Sequence, residues 1–274
     1  MALGLALIAA PLAAKADGEQ PSAVDRWPLA YVLRPQTLPE KMIELDFLSE
    51  TFWPNHLVNV NPQTQGVYEF HPDTNAGASL EVGITDRSEA AIAVPRVLCF
   101  DSEKPSGCSP NNRYRGAGAG LSEGVVRAAR VQVLLGIAFE VANSSPVAFE
   151  WKINGALKFL ATHRLALTLS LMAVREIDPP ATQLDNPLYA YLSGGIDLQI
   201  TDHLLFWVGA EPWAPLSHLD EGLALELYGG VSFTFNHHVQ AAVTAGTDNA
   251  LAEPLWYGSK VPGSFGTLAV AFWL

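Results

Sequence analysis

Four of the seven histidines fall in short polar stretches, where they could act as metal ligands or catalytic bases: His163, His203, His237 and His238. Each lies between two alternating apolar segments, where a tight turn needs polar residues in any case. A zinc site requires ligands at set spacings, such as H-E-x-x-H, or a cluster of Cys and His. Neither occurs here, so the sequence predicts no metal site and no cofactor.

The serines offer no clear nucleophile. A serine hydrolase would show a G-x-S-x-G elbow, which Pro262-Gly263-Ser264-Phe265-Gly266 resembles only superficially. His163 and Ser170 share one alternating segment and would lie roughly 20 Å apart at ~3.3 Å per residue, so they cannot form a dyad. The stretch Gly116 to Gly120 lacks the Lys-Ser/Thr ending of a phosphate-binding loop and is interpreted as a flexible loop. We therefore expect a protein that is not an enzyme.

The composition is typical of a membrane protein that has no spanning helices. The chain is 49% hydrophobic and 16% charged, with a mean hydropathy of +0.16. Globular chains average about 25% charged residues. After the N-terminal region no apolar run approaches the ~18 residues of a spanning helix. A closed barrel is the other structure that satisfies its backbone within lipid.

The net charge of −12 argues against a nucleic-acid partner. Nucleic-acid binding depends on Lys and Arg that neutralise phosphates. The excess of acidic residues fits a solvated surface, or acidic loops and an acidic lumen.

Residues 1–16 are expected to be a signal peptide. An apolar stretch from Ala2 to Ala14 leads to Ala14-Lys15-Ala16, a small-x-small cleavage site. A short N-terminal membrane anchor is the alternative.

The two cysteines, Cys99 and Cys108, bracket a polar stretch that contains Pro and Gly. In an oxidising compartment they would close a small surface loop as a disulfide. A redox or metal pair is the alternative, but it would need C-x-x-C spacing or a nearby His.

Period-two alternation of apolar and polar residues dominates the chain and predicts strands with two different faces. Helices would instead need apolar positions near every 3.6 residues. Several segments reach the ~9–11 residues of a tilted membrane strand. The clearest alternation lies within 43–47, 131–141, 149–159, 165–171 and 223–235.

The connections between these segments come in two lengths, as in membrane barrels. Tight turns are predicted at Thr85-Asp86-Arg87, Ala161-Thr162-His163, Thr201-Asp202-His203 and Asn236-His237-His238. Longer Pro- and Gly-rich stretches are predicted at 54–77, 98–124, 176–187, 214–222 and 248–264.

The expected fold is therefore all-β: a closed antiparallel up-and-down transmembrane β-barrel. Twelve strands result if Gly66 to Phe70 is a short strand, and ten if a pair fuses or drops out. Residues 17–40 are Pro-rich and irregular and are predicted to be a periplasmic lead-in, with the barrel spanning 41–274.

Charged residues on the polar strand faces would point into the lumen, because an isolated charge in lipid is costly. Their mixed signs predict ion pairs and bound water, which would either line a narrow pore or plug it. The set comprises Arg130, Glu140, Glu150, Lys152, Lys158, Arg164, Glu176, Asp197 and Glu226.

Two further features concern the strand ends. Trp53, Trp213, Trp256 and Trp273 lie at or near them, where aromatic girdles mark lipid–water interfaces. The final segment FGTLAVAFWL, from Phe265 to Leu274, has apolar residues at alternate positions. Its last three residues are Phe272, Trp273 and Leu274.

With this segment, and with Arg34 to Pro39 and Gly83 to Arg87, the sequence resembles Gram-negative outer-membrane β-barrel proteins of uncharacterised exported type. The resemblance implies an outer-membrane location, contact with outer-membrane lipid and recognition of the last strand by the barrel-insertion machinery. The expected function is a narrow, porin-like pore for small solutes, or a structural barrel with a side-chain-plugged lumen. The alternatives are an exported soluble ligand-binding β-barrel and an outer-membrane lipid-modifying enzyme.

Overall fold

The structure is a computed structural model of the chain. It describes residues 22–53, 55–58, 67–70, 73–101, 116–142, 148–177, 188–216, 223–247, 250 and 264–274. The predicted signal peptide lies outside these residues. Within them, no helix has both the length and the apolar character needed to cross a membrane.

Nearly all of the described residues are in strands, as the alternation predicts. Two short 3-10 helices, Val24–Arg26 and Tyr31–Leu33, precede the strands. The strands are β1 Ile43–Trp53, β2 Asn55–Val58, β3 Val67–Phe70, β4 Asp73–Gly83, β5 Ser88–Asp101, β6 Ala117–Arg127, β7 Val131–Ala142, β8 Ala148–Thr162, β9 Leu165–Ile177, β10 Leu188–Gln199, β11 Leu204–Pro215, β12 Ala224–Asn236, β13 Val239–Thr247 and β14 Ser264–Trp273.

Twelve of these strands form one closed antiparallel barrel. Sequential strands pair as neighbours from β4 to β14, and β1 closes the ring between β14 and β4. The closing seam is continuous, from Glu44 opposite Trp273 to Trp53 opposite Ser264. Closure leaves no sheet edge unpaired along this seam, which is what a barrel in lipid requires. The predicted fold class is confirmed.

The predicted count of twelve is correct, but one strand was assigned wrongly. Residues 67–70 form β3, which pairs with β2 in a separate two-stranded sheet outside the barrel. The twelfth barrel strand is β6, which begins inside the stretch 98–124 that the sequence predicts to be a loop and ends at Arg127. Its start alternates Ala with Gly, so it shows no apolar period. At Gly120 an added Cβ would lie 3.3 Å from the Ala138 Cβ of β7, so this glycine sits in close-packed sheet.

The four predicted tight turns are confirmed, and a fifth lies at 128–130. Side chains satisfy the turn backbone, as expected of turn residues. The Thr201 hydroxyl accepts hydrogen bonds from the backbone N–H groups of His203 and Leu204, at 3.2 and 3.0 Å. The Asn236 side-chain oxygen accepts one from the His238 N–H at 2.8 Å. All five turns lie at one end of the barrel, called here the turn end; the opposite end is the loop end.

The two faces of the barrel differ as the alternation predicts. On β7, Leu135 and Phe139 are about half exposed, whereas Leu134, next to Leu135, is 7% exposed. On β9, Leu169 is 47% exposed and Ala166 is fully buried. The outer surface is therefore a belt of aliphatic side chains, far more than a water-soluble monomer normally exposes.

Two of the four tryptophans expected at lipid interfaces instead face the interior. Trp273 is 3% exposed. Trp213 lies opposite Tyr191 on the inner face, and their rings stack at 5.9 Å. The side chains of Trp53 and Trp256 lie outside the described residues. Strand ends do carry aromatic residues here, but period two, and not position along the strand, decides which face they occupy.

The disulfide stays a prediction. Cys99 belongs to β5, but its side chain and all of Cys108 lie outside the described residues. In exported protein, we expect non-reducing peptide mass mapping to recover the Cys99 and Cys108 peptides joined, and reduction to separate them. Recovery of two alkylated thiols without reduction would contradict the pairing.

Candidate functional site in the barrel lumen

Residues 22–42, called here the plug segment, fill the turn end of the barrel. Val24, Trp27, Leu38 and Met42 of this segment are at most 5% exposed and form one apolar cluster with Trp273 of β14. The sequence predicted an irregular periplasmic lead-in at 17–40. The described part of that stretch is irregular, but it packs against the inside of the barrel.

Polar side chains of the barrel wall bind the backbone of the plug segment. Gln199 of β10 accepts a hydrogen bond from the Val32 N–H at 3.3 Å, and Glu89 of β5 accepts one from the Leu38 N–H at 2.9 Å. On β7, Gln132 accepts one from the Gln36 N–H at 2.9 Å. These contacts are needed because non-strand backbone inside a barrel has no sheet partners.

Lys158 and His237 bind carbonyl groups of the same segment. The Lys158 ammonium donates to the carbonyl oxygens of Tyr31 and Arg34, at 3.2 and 3.0 Å. The His237 ring lies with Nδ1 2.7 Å from the carbonyl oxygen of Trp27. The plug segment is thus held from several sides of the wall, so it narrows the turn end.

Arg34 is the central anchor of the plug segment. It is 3% exposed, and its guanidinium carbon lies 4.4 Å from the centre of the Trp273 ring. The guanidinium donates to the side-chain oxygens of Gln240 and Thr234 on the wall, and to the carbonyls of Pro28 and Leu29. Burial lowers the pKa of Arg34 to about 10, because desolvation disfavours the charged form. The group stays protonated at neutral pH.

Gly83 marks where the plug segment leaves the lumen and joins β1. Its N–H donates to the carbonyl of Met42 at 2.9 Å, and its carbonyl accepts from the Lys41 N–H at 2.8 Å. A Cβ at this position would lie 1.9 Å from the Pro39 carbonyl oxygen. Any larger residue would therefore push the plug segment away from β4.

A polar cavity of about 400 Å³ lies next to the plug segment, between it and the wall. Aromatic rings of Trp27, Tyr31 and Trp273 line one part of it, and Lys158 and Arg34 supply positive charge. Uncharged residues also line it, together with four carboxylates: Glu44, Glu81, Glu89 and Asp197.

Acidic side chains on the inner face extend well beyond this cavity. Alternation and burial place ten of them inward among the described residues, on eight of the twelve barrel strands. The described wall strands contribute three inward cations: Lys152, Lys158 and Arg127, which lies opposite Gln132 and is exposed at the turn end. The ten are Glu44, Asp46, Glu50, Glu81, Glu89, Glu140, Glu150, Asp197, Glu211 and Glu226.

The structure brings three of the predicted lumen residues together. Glu140 of β7 lies directly opposite Glu150 of β8. The Lys152 ammonium bridges both carboxylates, at 3.0 and 3.4 Å. Lys158 is 5% exposed and binds the plug segment, and Glu226 lies opposite Glu211 on the neighbouring strand.

Two predicted lumen residues lie elsewhere. Arg130 and Arg164 are exposed residues of the tight turns, before β7 and β9. Arg164 donates to the carbonyl of Ile200 in the next turn at 3.3 Å. Alternation was extended one residue too far in both cases, because a turn residue no longer follows the strand period. The side chain of Glu176 lies outside the described residues.

Sequence reasoning missed the plug segment as a functional element. It has no periodic pattern, so alternation predicts neither a strand nor a buried face for it. A usable signal was present: large apolar residues such as Trp27 and Met42 are unexpected in a solvated lead-in, and they call for a covering surface.

Three of the four turn histidines, His203, His237 and His238, contact backbone carbonyl oxygens. Nδ1 of His203 and of His238 lies 2.5 and 2.9 Å from the carbonyl oxygens of Thr234 and Trp273. Over the part of the chain that the structure describes, no three His, Cys, Asp or Glu residues are arranged to hold a metal ion.

No protein-family model and no curated protein matches the sequence. Solved structures of Gram-negative outer-membrane barrel proteins do match the fold. The NanC porin aligns with a TM-score of 0.55 at 9% identity, over 83% of this chain and 98% of that one. An outer-membrane channel from Pseudomonas putida F1 aligns with a TM-score of 0.54 at 11% identity, over 86% and 96%.

A third match is the KdgM porin in complex with disordered oligogalacturonate. It has a TM-score of 0.53 and 9% identity, over 84% of this chain and 98% of that one. Identities this low show the fold alone.

Proposed function

We propose that this chain is an outer-membrane channel for small solutes in a Gram-negative bacterium. One observation carries the proposal: a closed barrel with an aliphatic outer belt surrounds a polar, charged interior that contains a cavity of about 400 Å³. That the matched structures are porins and an outer-membrane channel supports transport over catalysis.

The outer belt argues against a soluble ligand-binding barrel. On the outer surface of the barrel, Leu169 and Leu171 of β9 and Ile137 of β7 are 47–59% exposed. In water such a surface would drive aggregation. In the outer membrane it would contact lipid acyl chains, and the last strand would be available to the barrel-insertion machinery.

The plug segment makes the resting channel narrow. Membrane barrels have short periplasmic turns and longer extracellular loops, so we place the turn end, and the plug segment with it, on the periplasmic side. Solute would enter from the loop end and meet the plug segment at the cavity.

The test is a bilayer conductance measurement on the refolded full chain. We expect small discrete current steps, and retention of the protein in the membrane fraction after a carbonate wash. Release by carbonate would contradict the membrane location. Absence of current both in the native chain and in the variant Arg34→Ala, which removes the anchor of the plug segment, would contradict the channel function.

A further inference from the structure

We propose that the lumen selects positively charged solutes over negatively charged ones. This inference rests on the proposed channel function and names its substrate class: hydrated monovalent cations and small protonated amines. Carboxylates outnumber cations on the inner wall, and the cations deep in the lumen are bound to other groups of the protein.

The inward carboxylates surround the lumen instead of forming one patch. They come from eight of the twelve barrel strands, on both sides of the cavity: Glu44 and Glu81 on β1 and β4, and Asp197 and Glu211 on β10 and β11. Rings of acidic side chains are the usual basis of cation selectivity in channels. In a narrow, low-dielectric passage such a field concentrates counter-ions by about tenfold or more.

The cations that lie deep in the lumen are already held by the protein, whereas Arg127 is exposed at the turn end. The Lys152 ammonium is shared by Glu140 and Glu150. Lys158 and Arg34 are each at most 5% exposed, and they bind carbonyl oxygens, amide and hydroxyl groups and aromatic rings of the plug segment and wall. A passing anion would have to break these contacts to reach them, whereas a passing cation meets carboxylates directly.

One pair of carboxylates shows where a solute cation would sit. Glu44 and Glu81 are directly opposite each other on β1 and β4, just as Glu140 and Glu150 are on β7 and β8. The second pair is bridged by Lys152. Among the described residues, no Lys, Arg or His nitrogen lies within 4.0 Å of the carboxylate oxygens of Glu44 or Glu81.

Like charges directly opposite each other destabilise a sheet. The first pair has no lysine that bridges its two carboxylates as the second has. The charge of Arg34 also acts on Glu44, but the Arg34 guanidinium is bound to Gln240 and Thr234. Both of its members line the cavity of about 400 Å³, which has room for a cation with several waters at roughly 30 Å³ each.

The experiment is a reversal-potential measurement on the refolded full chain under a KCl gradient. We expect K⁺ to be more permeant than Cl⁻. The double variant Glu44→Gln/Glu81→Gln should lower the K⁺/Cl⁻ permeability ratio about twofold or more. It should also raise the thermal unfolding midpoint, because a repulsion is removed. The matched control is Glu123→Gln, an exposed residue of β6 that bonds Ser88 near the turn end; the ratio should not change.

The outcomes separate the two proposals. Absence of current in both the native chain and Arg34→Ala overturns the channel function itself. Current that is unselective or carried mainly by Cl⁻ leaves the channel intact and overturns the cation preference. A folded double variant that keeps the native ratio overturns the role of Glu44 and Glu81.

Discussion

Leu169→Arg is expected to lower the free energy of unfolding in lipid by about 2–4 kcal/mol, the cost of an Arg on the lipid face near the bilayer midplane. Leu169 lies within the thirteen-residue strand β9 and is 47% exposed on the aliphatic belt. Its strand neighbours are Leu157 and Gly194, which offer no carboxylate to pair with. A urea titration of the barrel refolded in phospholipid vesicles measures the effect.

The matched control is an Arg one residue away, on the opposite face of the strand. Thr168 and Ser170 both qualify from the sequence, and the structure selects Ser170. Thr168 lies opposite Lys158, so an Arg there would add like-charge repulsion, whereas Ser170 lies opposite Ala156 and Ser193. Ser170→Arg should cost much less than Leu169→Arg. The reverse order would mean that the two faces are assigned the wrong way round, and equal costs would mean that neither face is in lipid while the other is in a polar lumen.

Arg34→Ala is expected to release the plug segment and raise the mean conductance about tenfold or more. The substitution removes hydrogen bonds from a charged donor to Gln240 and Thr234, and the stacking on Trp273. Hydrogen bonds to charged groups contribute about 1.5–3 kcal/mol each, and about 1.4 kcal/mol corresponds to a tenfold change in an equilibrium. Single-channel recording of the refolded variant measures the open fraction.

Arg26→Ala is the control for this prediction. Arg26 belongs to the same segment and is the same residue type, but it is exposed at the end of the first 3-10 helix. Its removal should leave conductance at the native level. Circular dichroism of both variants verifies that the strands have formed. If folded Arg34→Ala conducts no more than the native chain, the plug segment does not limit the current.

The sequence alone determined the features that depend on local periodicity. Alternation along β7, β8 and β9 predicted which residues face outward, because successive side chains of a strand always point to opposite faces. Thr201, Asn236 and their neighbours predicted the turns, since their side chains satisfy the backbone within two or three residues. Strand length and the shortage of charge then predicted a membrane barrel. These signals are read within about ten residues, so no knowledge of distant contacts was needed.

The tertiary structure decided what lies inside the barrel. Arg34 meets Gln240 across 206 positions of sequence, and Val32 meets Gln199 across 167. Period two places Trp273 on the face opposite Leu268 and Phe272, but it does not show that Arg34 and the plug segment cover that face. It assigns nothing to a segment without a period. The Ala-Gly stretch of β6 shows the same limit, because small residues form a strand without leaving an apolar pattern. Barrel closure brings distant strand ends to one place, so the plug segment, its Arg34 anchor and the opposed Glu44 and Glu81 are properties of closure rather than of any local stretch of sequence.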